Sequence, residues 1–504
     1  MSSPYNIIPW PEKVISDEGF LSFSKKIIIT LPEQADDAWV RKAYVFKDKL
    51  KERFGIDAGV ISGSGENAET PSIVIEHVMH REEAYRLSVK DIIRISSGSH
   101  SGLHNAFMTL LQLIIRNKSS VVVPKVHIED SPRFSWRGTL IDPARNFLPV
   151  CMVKEYIDHI SELKLNILHW HLVDDQGWRM ESLIFPRLHL SGGKGGYYTQ
   201  SEIREIIAYA EDRNVMILPE IDMPGHTSAM LSAYPELSCT GKPVELRQRP
   251  GIFASALCAS NEAVYDFIDR LLGEVAGLFP FPFVHIGSDE VVAGDWLNHD
   301  ACTSLMNKNG IKDKTGLHAY FVSRVNDILI KHGRKMIAWD EVTHFIPDGA
   351  IVQAWRNHKF ALVAAEAGHD AIVSPTTHCY YDYPHIVTSV EKVYSFEPVP
   401  ENITTNLANH ILGTEANLWG EWITPEKLTK RAFPRMLAHA EVCWTQKENR
   451  NFIHFRDRMH AISDDMKKRG VRFGTNFEPF LWLWFGIMKL YEILFIRDKD
   501  KGSE

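Results

Sequence analysis

The residues best able to do chemistry in this sequence are carboxylates and tryptophans gathered at the ends of short apolar runs. In chain order the clusters read Asp142-Pro143-Ala144-Arg145, His169-Trp170-His171-Leu172-Val173-Asp174-Asp175, Glu220-Ile221-Asp222-Met223-Pro224-Gly225-His226, His285-Ile286-Gly287-Ser288-Asp289-Glu290, Trp339-Asp340-Glu341, Trp355-Arg356 and Trp419-Gly420-Glu421. Carboxylates hydrogen-bond hydroxyls and move protons, and an indole face stacks on the apolar side of a pyranose, so the mixture suits a sugar site. The sharpest feature is the adjacent pair Asp289-Glu290. Neighbours in a regular strand face opposite sides, so both can reach one pocket only where the chain turns. Two carboxylates held together push at least one pKa upward, as a general acid working near neutrality requires. The rival reading has Asp289 capping the next helix and Glu290 in solvent.

Residues so far apart in sequence need a frame that brings them together. From Arg137 onward, short apolar runs at 138–142, 167–173, 215–221, 283–287, 335–339, 351–355, 371–374 and 410–415 alternate with amphipathic stretches at 153–163, 202–213, 262–278, 317–332 and 360–367. Eight such units predict a (β/α)8 TIM barrel, whose active site lies where strands end and βα loops begin. No G-x-G-x-x-G follows the first strand, which argues against a doubly wound dinucleotide fold. The first 130 residues read differently, with strands at 26–30, 72–76 and 91–96 and helices at 37–54 and 104–115, a small α+β domain that ends where Ser131-Pro132 breaks the pattern. The expected organisation is an N-terminal α+β domain (1–130), a barrel (131–460) and a helical tail (461–504).

Composition narrows the class. Of 504 residues 44% are hydrophobic and 24% charged, which excludes collagen-like, coiled-coil and wholly disordered chains. The net charge of −8 argues against nucleic-acid binding, which needs a clustered positive field. The six cysteines are scattered without a C-x-x-C pair, so zinc-ribbon and thioredoxin readings fall away and free buried thiols are the expectation. His169 and His171 have the H-x-H spacing of some metal sites, yet no metal is expected. No apolar leader opens the chain, which leaves a cytoplasmic protein or a secreted one whose leader has been removed. The run 480–488 is bracketed by charges and proline before a membrane span is reached, so membrane contact is not expected. It reads as a packed or interfacial helix, and the aromatic stretch 480–495 could cover a partner surface in a homodimer or the protein's own barrel.

Six ordered motifs carry a family resemblance. Trp136-Arg137-Gly138, Asp142-x-x-Arg145, Lys164-x-Asn166-x-x-His169-Trp170-His171-Leu172-x-Asp174-Asp175-Gln176-Gly177-Trp178-Arg179, Pro219-Glu220-Ile221-Asp222-x-Pro224-Gly225-His226, His285-x-Gly287-x-Asp289-Glu290 and Trp419-x-Glu421 span residues 131–444. Together they resemble the β-N-acetylhexosaminidases of glycoside hydrolase family 20. The α+β start is similar to the non-catalytic domain that precedes the barrel in that family.

The resemblance implies retaining hydrolysis in which the substrate's own 2-acetamido oxygen is the nucleophile, with no cofactor. In that scheme Glu290 is the acid and base, Asp289 holds the acetamide N–H and stabilises oxazolinium charge, and Tyr380 orients the acetamide oxygen. Trp339, Trp355 and Trp419 wall the pocket, Arg145, Asp382 and Glu421 grip ring hydroxyls, and Asp174 with His226 tunes the acid from behind. Asp175 and Glu220 are expected to organise the barrel mouth, with Trp170 and Trp178 as packing. Asn146 departs from the family, which usually has His there. The implied substrate is a glycan ending in β-linked N-acetylglucosamine or N-acetylgalactosamine, and an acidic side chain such as Asp382 near the outer hydroxyls points to neutral glycans. A carbohydrate-binding protein on a degenerate hydrolase barrel is the alternative, and a metal-dependent barrel hydrolase using His169 and His171 a third reading.

Overall fold

A computed structural model describes residues 5–63, 72–78, 81–116, 120–292, 294–401 and 403–475. Near the N-terminus, β1 (Lys13–Phe23), β2 (Lys26–Leu31), β3 (Asp57–Ser62), β4 (Ser72–His77), β5 (Tyr85–Val89), β6 (Ile93–Ser97), β7 (Ile115–Arg116) and β8 (Val121–Asp130) build one mixed sheet. The order is β1-β8-β5-β6-β4-β2-β3, with β7 paired to β8. Period-two alternation buries Tyr85, Leu87 and Val89 of β5 against Ile93 and Ile95 of β6. Helix α1 (Asp37–Phe54) starts where the Asp36 carboxylate accepts from the Ala38 and Trp39 amides, and stops at Gly55 in the left-handed region. Helix α2 (His100–Leu113) is buried on nearly every side because it is sandwiched between this sheet and the barrel. Its His104 Nε2 lies 3.0 Å from Ser161 Oγ of the first barrel helix (Val150–Glu162).

The eight expected parallel strands are present: β9 (Trp136–Ile141), β10 (Ile167–His171), β13 (Met216–Glu220), β14 (Phe283–His285), β15 (Lys335–Trp339), β16 (Ile351–Ala354), β17 (Ala371–Val373) and β18 (Ile411–Leu418). They close in the order β10-β13-β14-β15-β16-β17-β18-β9, a TIM barrel behind an α+β domain. A small hairpin of β11 (Val173–Asp174) and β12 (Gly177–Trp178) follows β10. Three strands end two or more residues from expectation, β10 among them, since it stops at His171. β14 stops at His285 because Gly287 (φ 64°) and Ser288 (φ 75°) leave extended geometry, and β18 runs on to Leu418 in register with Ile141 of β9. The β17–β18 crossover has only short helices (Thr376–Cys379, Val390–Ser395 and Thr405–Ala408), and this long connection carries Tyr380 and Asp382.

The barrel interior is layered. Trp136, Ile167, Leu218, Phe281, Ile337, Ile351 and Ile372 fill an apolar layer. Another layer holds the fully buried His169, Glu220, His285 and Glu415. Several family-like motif residues join the two domains instead of reaching the barrel mouth. Lys164 Nζ donates to Asp130 and to Tyr85 (both 2.9 Å), Trp444 Nε1 donates to Asp130 (2.9 Å), and Arg137 pairs with Glu83 (2.6 Å). The Asn166 side chain accepts from the Arg137 amide. Each buried charge is compensated at once, the condition under which it is tolerated. Helix Phe452–Lys468 locks the N-terminal segment to the barrel, since Arg458 pairs with Glu441 (2.7 Å) and donates to the Ile7 carbonyl. Among the described residues no helix is long and apolar enough to cross a membrane. The expected helix at 480–488 lies outside the described residues.

Candidate active site

The turn after β14 is the central device. Gly287, Ser288 and Glu290 all have positive φ (64°, 75° and 51°). A Cβ on Gly287 would fall 2.0 Å from Asp222 Oδ1, and that same oxygen accepts from the Ser288 amide at 3.2 Å. The kinked turn aims two consecutive side chains at one imidazole: His226 Nε2 lies 3.8 Å from Asp289 Oδ2 and 3.6 Å from Glu290 Oε2. Burial, with the Glu290 charge and against the opposing pull of His226, pushes the Asp289 carboxyl up to about 7. Among the described residues its Oδ1 is buried without a hydrogen-bond partner.

Behind the imidazole stands Asp174. His226 Nδ1 is 3.3 Å from Asp174 Oδ1, while Oδ2 meets His171 Nε2 (3.0 Å) and Arg145 Nη2 (2.6 Å). Burial opposes both charges, yet the Arg145 and His226 charges hold Asp174 far below the carboxylate range, and Asp174 and Asp289 hold His226 well above the imidazole range. Arg145 leaves β9 through Asp142, which accepts from its amide and guanidinium and from the Gly420 amide (2.8 Å). Its guanidinium stands 3.7 Å from Glu421 and over the Trp419 ring. Asn146 donates to the Gly420 carbonyl, so it ties the β9 and β18 loops together.

The aromatic side of the site is a chain of rings. Trp355 and Tyr380 have centroids 6.3 Å apart, Tyr380 and Trp419 6.3 Å, and Trp419 and Trp339 5.8 Å. Trp339 is 1% exposed and donates Nε1–H to Glu220 (3.0 Å), which makes it the floor beneath the half-buried Trp419 and Trp355. Burial holds the Tyr380 phenol well above its ordinary value, so it remains a donor. Asp382 is pushed up to about 8 by burial and by Glu421.

Glu341 and Asp222 join the site without a role expected from sequence. Glu341 accepts from Trp355 Nε1 (3.1 Å) and is pushed up to about 8 by burial and the charges of Asp289 and Asp340. Asp222, braced against Gly287, is raised well above the carboxylate range by burial and Asp289. The available signal was their place at the ends of β15 and β13, next to expected site residues. Asp175 accepts from the Ser228 amide (2.9 Å) and lies 3.5 Å from His226 Nδ1, and Trp170 and Trp178 are fully buried packing residues. His169 lies between Glu415 (2.7 Å) and Glu220 (3.1 Å), and His171 between Glu220 and Asp174. Burial would neutralise both, but these carboxylates override it and raise His169 to about 9 and His171 well above the usual range. Both imidazoles of the H-x-H pair are thus held in a buried lattice of carboxylates.

Comparison with known sequences supplies the deciding observation. Residues 134–447 match the model described as "Glycosyl hydrolase family 20, catalytic domain", and residues 4–131 match "Glycosyl hydrolase family 20, domain 2". The chain belongs to glycosyl hydrolase family 20. A β-hexosaminidase of Porphyromonas gingivalis is 33% identical over 501 residues, covering 93% of this chain and 64% of that protein. The chain thus spans just under two thirds of that relative's length. A Flavobacterium johnsoniae chitobiase superposes with a TM-score of 0.84 at 33% identity, over 93% of this chain and 73% of its own. A Vibrio harveyi family 20 exo-β-N-acetylglucosaminidase, solved in complex with N-acetylglucosamine, gives 0.85 at 30% identity over 95% and 79%. In family 20 terms, the carboxylate pair after β14, the β9 arginine and the ring wall all face one barrel mouth in this chain.

Proposed function

We propose that this protein is an exo-acting, retaining β-N-acetylhexosaminidase that removes terminal β-linked N-acetylglucosamine or N-acetylgalactosamine from neutral glycans. The observation that carries the reading is the convergence of consecutive Asp289 and Glu290 on His226 Nε2, at 3.8 and 3.6 Å. Adjacent side chains share a pocket only through a strained turn. Family membership and the names of the relatives support the same conclusion.

In this mechanism Glu290 gives its proton to the departing glycosidic oxygen while the acetamide oxygen attacks the anomeric carbon from the opposite face. The product is a cyclic oxazolinium ion. Asp289, as carboxylate, accepts the acetamide N–H and faces the positive charge as it develops. Its interaction is therefore stronger in the transition state than in the ground state. Tyr380 donates its phenolic hydrogen to the acetamide oxygen and holds it in line. Glu290, now a carboxylate, takes a proton from water, whose oxygen attacks the anomeric carbon and reopens the ring with net retention. Arg145, Glu421 and Asp382 bind hydroxyls, and Trp339, Trp355 and Trp419 enclose the sugar. Asp174 and His226 position Glu290 from behind.

The test compares a chromogenic β-N-acetylglucosaminide with the matching β-glucoside on the wild type, and the wild type with Glu290→Gln on a disaccharide ending in β-linked N-acetylglucosamine. The acetamido sugar alone should be cleaved, and with a sugar leaving group the variant should lose about 10²–10⁴-fold in kcat/KM. Equal cleavage of both substrates would sink acetamide participation. Undiminished activity in the variant would sink the acid assignment, and an inactive wild type that still binds the sugar would favour the binding-protein reading.

A further inference from the structure

Three of the six cysteines, scattered in sequence, meet in space. Cys239 Sγ is 3.7 Å from Cys302 Sγ, Cys258 Sγ is 3.8 Å from Cys302 Sγ, and Cys258 Sγ is 3.7 Å from His299 Nδ1. The four ligand atoms all lie within 4.8 Å of one another. Cys239 and Cys258 approach to 3.0 Å as free thiols, longer than the roughly 2.05 Å of a disulfide bond. In a tetrahedral site with Zn–S of about 2.3 Å and Zn–N of about 2.0 Å, ligand atoms stand roughly 3.5–3.8 Å apart. Three of the four measured separations fall in that interval.

We propose that Cys239, Cys258, His299 and Cys302 form a structural zinc site, separate from the sugar pocket. The donor set, three soft thiolates and an imidazole, is the closed Cys₃His type. Cys258 and Cys302 are fully buried, and Cys239 and His299 are half-buried. The local backbone supplies the constellation. The isolated antiparallel bridge Ser238↔Leu257 holds Cys239 and Cys258 next to each other at the base of a long loop. His299 caps helix Asp300–Asn309, so His299-x-x-Cys302 spans its first turn, where residues three apart share a face. The metal would thus fasten the loop after β13 to the segment that follows Asp289-Glu290. Trp296 already links the same two segments through its bond to the Leu257 carbonyl (2.9 Å). The scattered spacing had excluded a zinc ribbon, but it did not exclude a site assembled from three separate segments. Binding displaces the thiol protons, so the ion enters as zinc with release of protons to solvent.

The full-length protein, purified without chelator under reducing conditions and offered zinc, should hold about one zinc per chain by elemental mass spectrometry. Replacement by cobalt(II) should produce tetrahedral d–d bands together with thiolate-to-cobalt charge transfer, which the carboxylate-bound imidazoles of the barrel cannot generate. The double variant Cys258→Ser/Cys302→Ser should lose the zinc, while His299→Cys should retain it. Stripping the metal should lower the thermal midpoint. Wild-type protein that takes up no zinc, zinc retained in full by the double variant, or a Cys239–Cys258 disulfide in the peptide mass spectrum overturns the proposal. The wild-type metal content and cobalt spectrum decide the matter even if a variant fails to fold, and neither depends on the glycosidase reading.

Discussion

The imidazole of His226 lies 3.6 Å from the carboxylate of Glu290, Nε2 to Oε2, while its other nitrogen faces Asp174. The three residues come from three different barrel loops, so the Asp174–His226–Glu290 line exists only in the folded protein. Asp174 is also held by Arg145 and His171, which makes it the rigid end of the line.

If the line acts as one unit, Asp174→Asn and His226→Ala should each lower kcat by about 10-fold or more, and the double variant should be little worse than the worse single variant. Kinetic double-mutant analysis checks this. Losses that multiply would show two independent contributions.

Asp289→Asn should lower kcat by roughly 10²–10³-fold with little change in KM, the scale seen when one electrostatic contact to a developing charge is removed. Asparagine keeps the shape but cannot oppose the oxazolinium charge. A change confined to KM would falsify that role.

Stability should fall as pH rises above about 6.5. Asp289, Asp382 and Glu341 are raised to about 7, 8 and 8 in the folded protein. Between their unfolded values near 4 and those folded values these three groups bind more protons in the native state, so the stability they contribute declines with pH across that window. His169, raised to about 9, contributes stability that is complete below about 6.5 and lost on the way to pH 9, the same direction. Below about 6.5 the buried histidines held neutral, His104, His318, His385 and His439, act in the opposite direction. The thermal midpoint of the sugar-free protein should therefore fall between about pH 6.5 and pH 9, and Asp289→Asn should raise it most near pH 8. A midpoint that climbs across that interval would contradict the assignment of these shifts.

Gly287→Ala should disable the site without touching a reacting group. The new methyl would overlap Asp222 and sit at φ 64°, where an L side chain is strained. A loss of about 1–3 kcal/mol in stability, with kcat falling at least as far as in His226→Ala, is the expected outcome. Wild-type kinetics in Gly287→Ala would show that the turn does not aim the pair.

Much of this molecule can be read directly from its sequence. The eight apolar runs predict the barrel because strand and helix periods are local properties of the chain, and polar residues at strand ends predict the mouth because all parallel strands point the same way. The pair Asp289-Glu290 is likewise visible, but not its shared direction, which depends on three positive φ angles at Gly287, Ser288 and Glu290. Lys164 and Arg137, quoted in family-like motifs, turn out to join the two domains through Asp130 and Glu83, a contact no local pattern encodes. Glu341 and Asp222 join the electrostatics of the site only because β13, β14 and β15 are neighbours in the closed barrel. The cysteines make the same point most plainly, since Cys258 lies 19 positions after Cys239 and Cys302 lies 44 positions after Cys258. Sequence alone determines which elements form and which residue types they carry. Tertiary structure decides which charges and thiols meet, because burial, pKa and ligand geometry depend on distances through space, and those are set when the barrel closes.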